Sequence, residues 1–168
     1  MEVKTTMMIR IRITAYWIAT LLVAQEMVAG SLWALYRLEY VNANLAHLGY
    51  PTYLQSILGI WAFPCAVTLL VPRFGQLKEW AYAGAFFDYS GAVASHVIVG
   101  DGPSKWAAPL VFAVLALSSW ALRPADRRVP ATTRATETRT LVWVVPAVVI
   151  VVMLVVALLT LPNGSPSQ

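Results

Sequence analysis

Charge and sulfur are both scarce in this chain. Only 12% of its 168 residues are charged, and Cys65 is its one cysteine. A lone cysteine excludes an internal disulfide and any Cys-x-x-Cys redox or zinc centre. A small buried hydrophobe is the expected role for Cys65. Strict polar–apolar alternation over short segments is also missing, which excludes the strands of a membrane β-barrel. The 12 basic residues exceed the 8 acidic ones, but they sit between apolar runs and form no binding face, so no nucleic-acid partner is expected.

Hydrocarbon is what the chain has in abundance: 59% of it is hydrophobic, where soluble domains run nearer half. The excess falls into five runs free of Lys and Arg, at 13–36, 53–71, 80–100, 106–122 and 141–161. Each is 17 to 24 residues long, close to the ~20 that cross a ~30 Å hydrocarbon core. The Val-rich last run would suggest a strand in water, but it is too long for one, and lipid favours a backbone that satisfies itself. The expected fold class is therefore all-α: an integral membrane four-helix bundle with an additional C-terminal transmembrane helix. Residues 1–124 form the bundle, 125–140 an Arg-rich cytoplasmic linker, 141–161 the fifth span and 162–168 a short tail.

Lys4, Arg10 and Arg12 precede an apolar stretch, and Val28-Ala29-Gly30 has the small residues of a signal cleavage site. The run continues through Leu32, Trp33, Leu35 and Tyr36, so retention as the first span is expected. With the N-terminus inside, the inner segments hold ten basic residues (Lys4, Arg10, Arg12, Arg73, Lys78, Arg123, Arg127, Arg128, Arg134, Arg139) and the outer ones only Arg37 and Lys105. Basic residues near span ends stay on the cytoplasmic side. This points to a multi-pass protein of the plasma or inner membrane, N-terminus cytoplasmic and C-terminus outside. Tyr16, Trp17, Trp33, Tyr36, Tyr50, Tyr53, Trp80, Tyr82, Trp106, Trp120 and Trp143 lie toward the run ends, where amphipathic rings favour the headgroup level. In the longest outer connection, 37–52, apolar residues recur at helical spacing, so a short interfacial helix is expected before Gly49 and Pro51 break it. The segment 123–140 has no apolar periodicity and reads as a flexible linker. Its arginines suit a topology signal or contact with anionic headgroups.

Ionisable groups at membrane depth are costly and mark candidate sites. Glu26, Asp88 and His96 are the three within the runs, with Ser95 beside His96. At 1.5 Å rise per residue, Glu26 and His96 fall at similar depths, about 20 and 24 Å from the inner end, and Asp88 at about 12 Å. The expectation is that Glu26 pairs with His96 or that the acids are neutral, with Asp88 more isolated. Gly84, Asp88, Gly91 or Ala92, and Ser95 follow at three- to four-residue intervals. Gly84, Gly91 and Ala92 therefore read as a helix-packing seam of small residues. No catalytic residue and no metal set is identified.

Three motifs stand in order along 47–124: His47-Leu48-Gly49-Tyr50-Pro51, then Leu77-Lys78-Glu79-Trp80-Ala81-Tyr82-Ala83-Gly84, then Gly91-Ala92-Val93-Ala94-Ser95-His96 with Gly100-Asp101. On these the stretch resembles the DoxX-like membrane family. With the first span it covers about 16–124. It implies a four-helix membrane bundle; relatives include subunits linked to thiosulfate and quinone oxidation, partners in redox-stress complexes and a receptor-assembly factor. Close relatives often carry Lys directly after the Trp of span two, where this chain has Ala62, so Glu26 has no cationic partner there. The fifth span lies outside the family unit. Three functions follow as expectations: a non-catalytic module that binds or assembles a membrane partner, then a membrane subunit of a quinone-linked oxidoreductase with quinone as cofactor, then a small-solute or proton transporter, ranked last because no inverted repeat is evident.

Overall fold

A computed structural model describes residues 2–128 and 141–161. Among these the secondary structure is helical, with no strand: α1 (Glu2–Leu35), α2 (Glu39–His47), α3 (Tyr53–Leu70), α4 (Gly75–Ile98), α5 (Pro103–Leu122), a 3-10 turn at Ala125–Arg127 and α6 (Leu141–Leu159). Helices α1, α3, α4 and α5 form a ring in which each packs on the next, α5 closing back on α1. Short connections make sequential helices antiparallel. The short α2 packs on α1 and α3, and α6 lies outside the ring, mainly against α1. The expected all-α bundle is the observed one.

The helix starts differ from the apolar runs in an instructive way. No Gly or Pro lies between Glu2 and Ile13, so charge alone does not stop the helix, and α1 extends over 34 residues. At 1.5 Å per residue that is about 50 Å, longer than a hydrocarbon core. Helix α5 starts at Pro103, where the missing N–H costs nothing in a first turn. Three helices are long and apolar enough to cross a membrane, through Lys4–Leu35, Tyr53–Leu70 and Pro103–Leu122. Helix α4 has the length, with 24 residues, but its polar residues lower its hydropathy, and the apolar stretch of α6, Val144–Leu159, is shorter.

The core is small and alanine-rich. Val23, Ala24 and Val28 of α1 meet Ala66 and Leu69 of α3, Ala85 of α4, Ala113 and Ala116 of α5, and Met153 and Ala157 of α6. Lipid supplies no hydrophobic drive between helices, so close approach of small residues does this work. The tightest approach is at Gly59, where a Cβ would lie 2.9 Å from Leu35 Cγ and 3.1 Å from Ala34 Cβ. The Ser31 hydroxyl donates to the Gly59 carbonyl at 2.7 Å across the same crossing. The seam expected on α4 is not used this way: a Cβ on Gly84 or Gly91 would meet nothing within 4 Å, and both are exposed. Cys65 is half-buried against the core, its thiol donating to the Ala81 carbonyl.

Candidate functional site

The two ends of the bundle are locked by different chemistry. At the α2 end, Gly49 and Gly100 take left-handed backbone, φ +79° and +82°, and each ends a helix. Tyr50 N–H reaches back to Leu45 O and Gly49 N–H to Ala46 O; Asp101 N–H reaches His96 O and Gly100 N–H reaches Val97 O. These are two copies of one glycine C-cap. Each delivers the next side chain into a cross-helix bond. Asp101 accepts from His96 Nδ1 at 2.6 Å and from His47 Nε2 at 2.9 Å. The Ser95 hydroxyl donates to Gly91 O at 2.8 Å, so its one proton is used and the Tyr50 hydroxyl is the donor to Ser95 at 2.7 Å. His96 is thus committed to Asp101, and the expected Glu26–His96 pair is replaced. Depth along the span is compatible with that pair, but depth does not show that the turn at Gly100 brings a carboxylate back over the ring.

Hydrogen bonds from His96 and then His47 hold the Asp101 carboxyl below the usual carboxylate range, against a small opposing effect of burial. A carboxyl held low in the fold stabilises it above the ordinary value of about 4, and loses that contribution as pH falls through the folded value. The expected result is a melting temperature in mild detergent that drops between about pH 5 and 3, with Asp101→Asn already lowered at neutral pH and flatter over that window. Parallel acid limbs for the two proteins would contradict this.

At the opposite, arginine end, the segment expected to be a featureless linker begins as an anchored cap. Arg123 is 4% exposed; it donates to Glu79 at 2.7 Å, and Trp120 Nε1 donates to the other oxygen of the same carboxylate at 2.8 Å. Arg127 Nη1 donates to Leu70 O at 3.1 Å and Leu69 O at 3.3 Å, with its guanidinium 4.4 Å from the Trp17 ring centroid. Arg128 donates to Arg123 O at 3.0 Å. Lys78, with no exposed surface, donates to the carbonyls of Thr68, Leu69 and Val71. Cations at a helix C-terminus satisfy its orphan carbonyls and complement the macrodipole. These basic residues are structural, a role their count alone does not reveal. The expected linker beyond Arg128 (129–140) and the tail (162–168) lie outside the described residues. Tyr16 is fully buried, inside the bundle and not at a headgroup belt.

Between the two ends, α1 to α5 surround a cavity of about 940 Å³. Glu26, Asp88, Ser95 and His96 all line it, as do Gly91 and Ala92; Gly84 does not. Glu26 and Asp88 lie within electrostatic reach of each other, so Asp88 is not the isolated acid that depth suggests. The ion pairs His47–Asp101, His96–Asp101 and Arg123–Glu79 do not neutralise Glu26 or Asp88. Ala62 lines the same space. Sequence reasoning missed further polar side chains in the walls, among them Trp33, Gln55 and Tyr89. Gln55 and Tyr89 are 3% and 6% exposed, and Trp33 Nε1, Gln55 Nε2 and the Tyr89 hydroxyl have no hydrogen-bond partner. Each sits within a run that is apolar as a whole, and its burial is not visible in the local sequence. Among the described residues no group of three His, Cys, Asp or Glu is placed to hold a metal ion.

The residues that close the two ends are those of the motifs quoted above: His47, Tyr50, Ser95, His96 and Asp101 at one, Lys78 and Glu79 at the other. No curated protein and no solved structure matches the chain. A sequence profile of the DoxX-like family matches residues 18–119, from the first turn of core contacts in α1 to the buried Ser119 of α5. With the ring of four helices and both motif-built ends accounted for, the chain is a member of the DoxX-like family of membrane proteins.

Proposed function

We propose that the chain is a non-catalytic binding module of the membrane that takes a small amphipathic molecule into the cavity between α1 and α5. The observation that carries this reading is a cavity of about 940 Å³ whose lining residues include Glu26 and Asp88 together with Trp33, Gln55 and Tyr89, each of these three holding a buried polar atom without a partner. Buried donors left unpaired cost about 1–3 kcal/mol each, and a bound acceptor removes that cost. Native mass spectrometry of protein released from mild detergent is expected to show a stoichiometric small-molecule adduct. Ala92→Trp, which fills the cavity from α4, is expected to lose the adduct while keeping its helical circular dichroism. Bare polypeptide from the wild type would count against the reading.

On the charge asymmetry read from the sequence, the module sits in the plasma or inner membrane as a multi-pass protein, with the N-terminus cytoplasmic and the C-terminus outside. Its further partner is another membrane protein engaged through α6, whose outward face is exposed valine. A pull-down from native membranes, with and without residues 141–168, tests that assignment. A second reading, a quinone-linked subunit, is favoured by the same donors, since quinone carbonyls accept hydrogen bonds and a flat ring suits aromatic walls. Quinone extraction and absorbance spectra of the purified protein separate the two.

A further inference from the structure

The chemistry of the cavity narrows its occupant further, an inference that rests on the binding reading above. Two acids, Glu26 and Asp88, face one space within electrostatic reach of each other. Lys105 also lines it, but as an exposed residue of the first turn of α5, and it forms none of the ion pairs. His96 is turned to Asp101. Asp88 is exposed like Lys105 and Glu26 is half-buried, so two acids against one cation leave the cavity short of positive charge, a deficit felt most at Glu26.

The remaining wall is aromatic. Tyr89 and Phe112 stack with ring centroids 5.4 Å apart and planes 28° from parallel, and Trp33 and Phe87 line the same space. Aromatic faces attract organic cations in addition to offering them apolar contact. Independently of the acids, Gln55 Nε2 and the Tyr89 hydroxyl, both on side chains more than nine-tenths buried, have no partner, and neither has Trp33 Nε1. An amide N–H and an indole N–H are donors only, so these groups ask for an oxygen acceptor. An inorganic cation supplies no acceptor and leaves the apolar walls uncovered. A neutral acceptor leaves the acids unmatched.

We infer that the cavity binds an amphipathic organic amine: a protonated nitrogen set against Glu26 and Asp88, a carbonyl or ether oxygen accepting from Gln55 and Trp33, and an aromatic or branched apolar body against Tyr89 and Phe112. The step is association alone, with no bond made or broken.

The test uses the full chain in mild detergent and two commercial probes that share an aromatic ester. Tetracaine carries a tertiary amine protonated at neutral pH; benzocaine has the ester and ring without that charge. Isothermal titration is expected to show one saturable tetracaine site, at least tenfold tighter than benzocaine. Glu26→Gln and Asp88→Asn are each expected to weaken tetracaine about tenfold, and Gln55→Leu to weaken both probes alike. Comparing the two probes on the wild-type protein needs no variant, so the inference stays exposed even if one substitution misfolds. Equal affinity for both probes overturns the amine and leaves the binding module standing. Saturable decylubiquinone binding without tetracaine binding overturns the amine in favour of the quinone reading. Binding of none of the three overturns the module as well.

Discussion

Replacing Lys78 by Met is expected to cost about 3 kcal/mol, the largest loss for any single polar side chain outside the cavity. Methionine keeps the length and fills the buried slot, so the change isolates the ammonium. That group serves three carbonyls at the end of α3, those of Thr68, Leu69 and Val71. Arg127 also reaches Leu69 O, but Thr68 O and Val71 O would lose the Lys78 donor. Each buried acceptor left bare costs about 1–3 kcal/mol. For a chain of this size 1 kcal/mol is worth roughly 2–4 °C, so a detergent melt should fall by about 6–12 °C. Lys78→Arg is expected to recover little, because the guanidinium is planar and bulky in a site with no exposed surface. A shift under about 2 °C for Lys78→Met would mean that water or the remaining arginines do the same work.

Gly59→Leu is expected to separate α1 from α3 and leave no monodisperse protein after extraction. Even an added Cβ would stand 2.9 Å from Leu35 Cγ and 3.1 Å from Ala34 Cβ. Leu35 is exposed and can swing aside, so Gly59→Ala should be mild, around 1 kcal/mol. Ala34 is 4% exposed and its Cβ has no rotamer to change, so a branched side chain has nowhere to go. Forcing the helices apart also breaks the Ser31–Gly59 bond at 2.7 Å. Size-exclusion profiles of the Ala and Leu variants, run beside Ser31→Ala, measure the gradation. A Gly59→Leu protein that elutes like the wild type would show that this crossing is not a close contact.

The bundle is largely legible in the sequence because the length and apolar content of each run report directly on the solvent that it meets. Contacts across the ring are not. Depth, which is one coordinate, matches Glu26 to His96; the angular position of each side chain around its helix and the return of the chain at Gly100 are coordinates that spacing does not give. The small residues of α4 pointed to a seam, but spacing does not say whether a groove faces a helix or an opening, and Gly91 and Ala92 line the cavity. The arginines after α5 have a second task that composition does not reveal, since a topology signal and a helix cap share one composition. Gln55 went unnoticed for a related reason: a single amide in an apolar run becomes informative only once its burial is known.

A last consequence lies in the hydroxyls of Thr20, Ser119 and Tyr82. Thr20 donates to Tyr16 O at 2.7 Å, Ser119 lies 2.7 Å from Thr20, and Tyr82 lies 2.8 Å from Ser119. With one proton per hydroxyl, the order runs from Tyr82 through Ser119 to Thr20 and cannot reverse while Thr20 serves Tyr16. Three helices, α4, α5 and α1, are thereby pinned at one height. A slide of α5 by one residue, 1.5 Å, would break both the Ser119–Thr20 and the Tyr82–Ser119 contacts, so the series opposes axial displacement of α5 against its two neighbours.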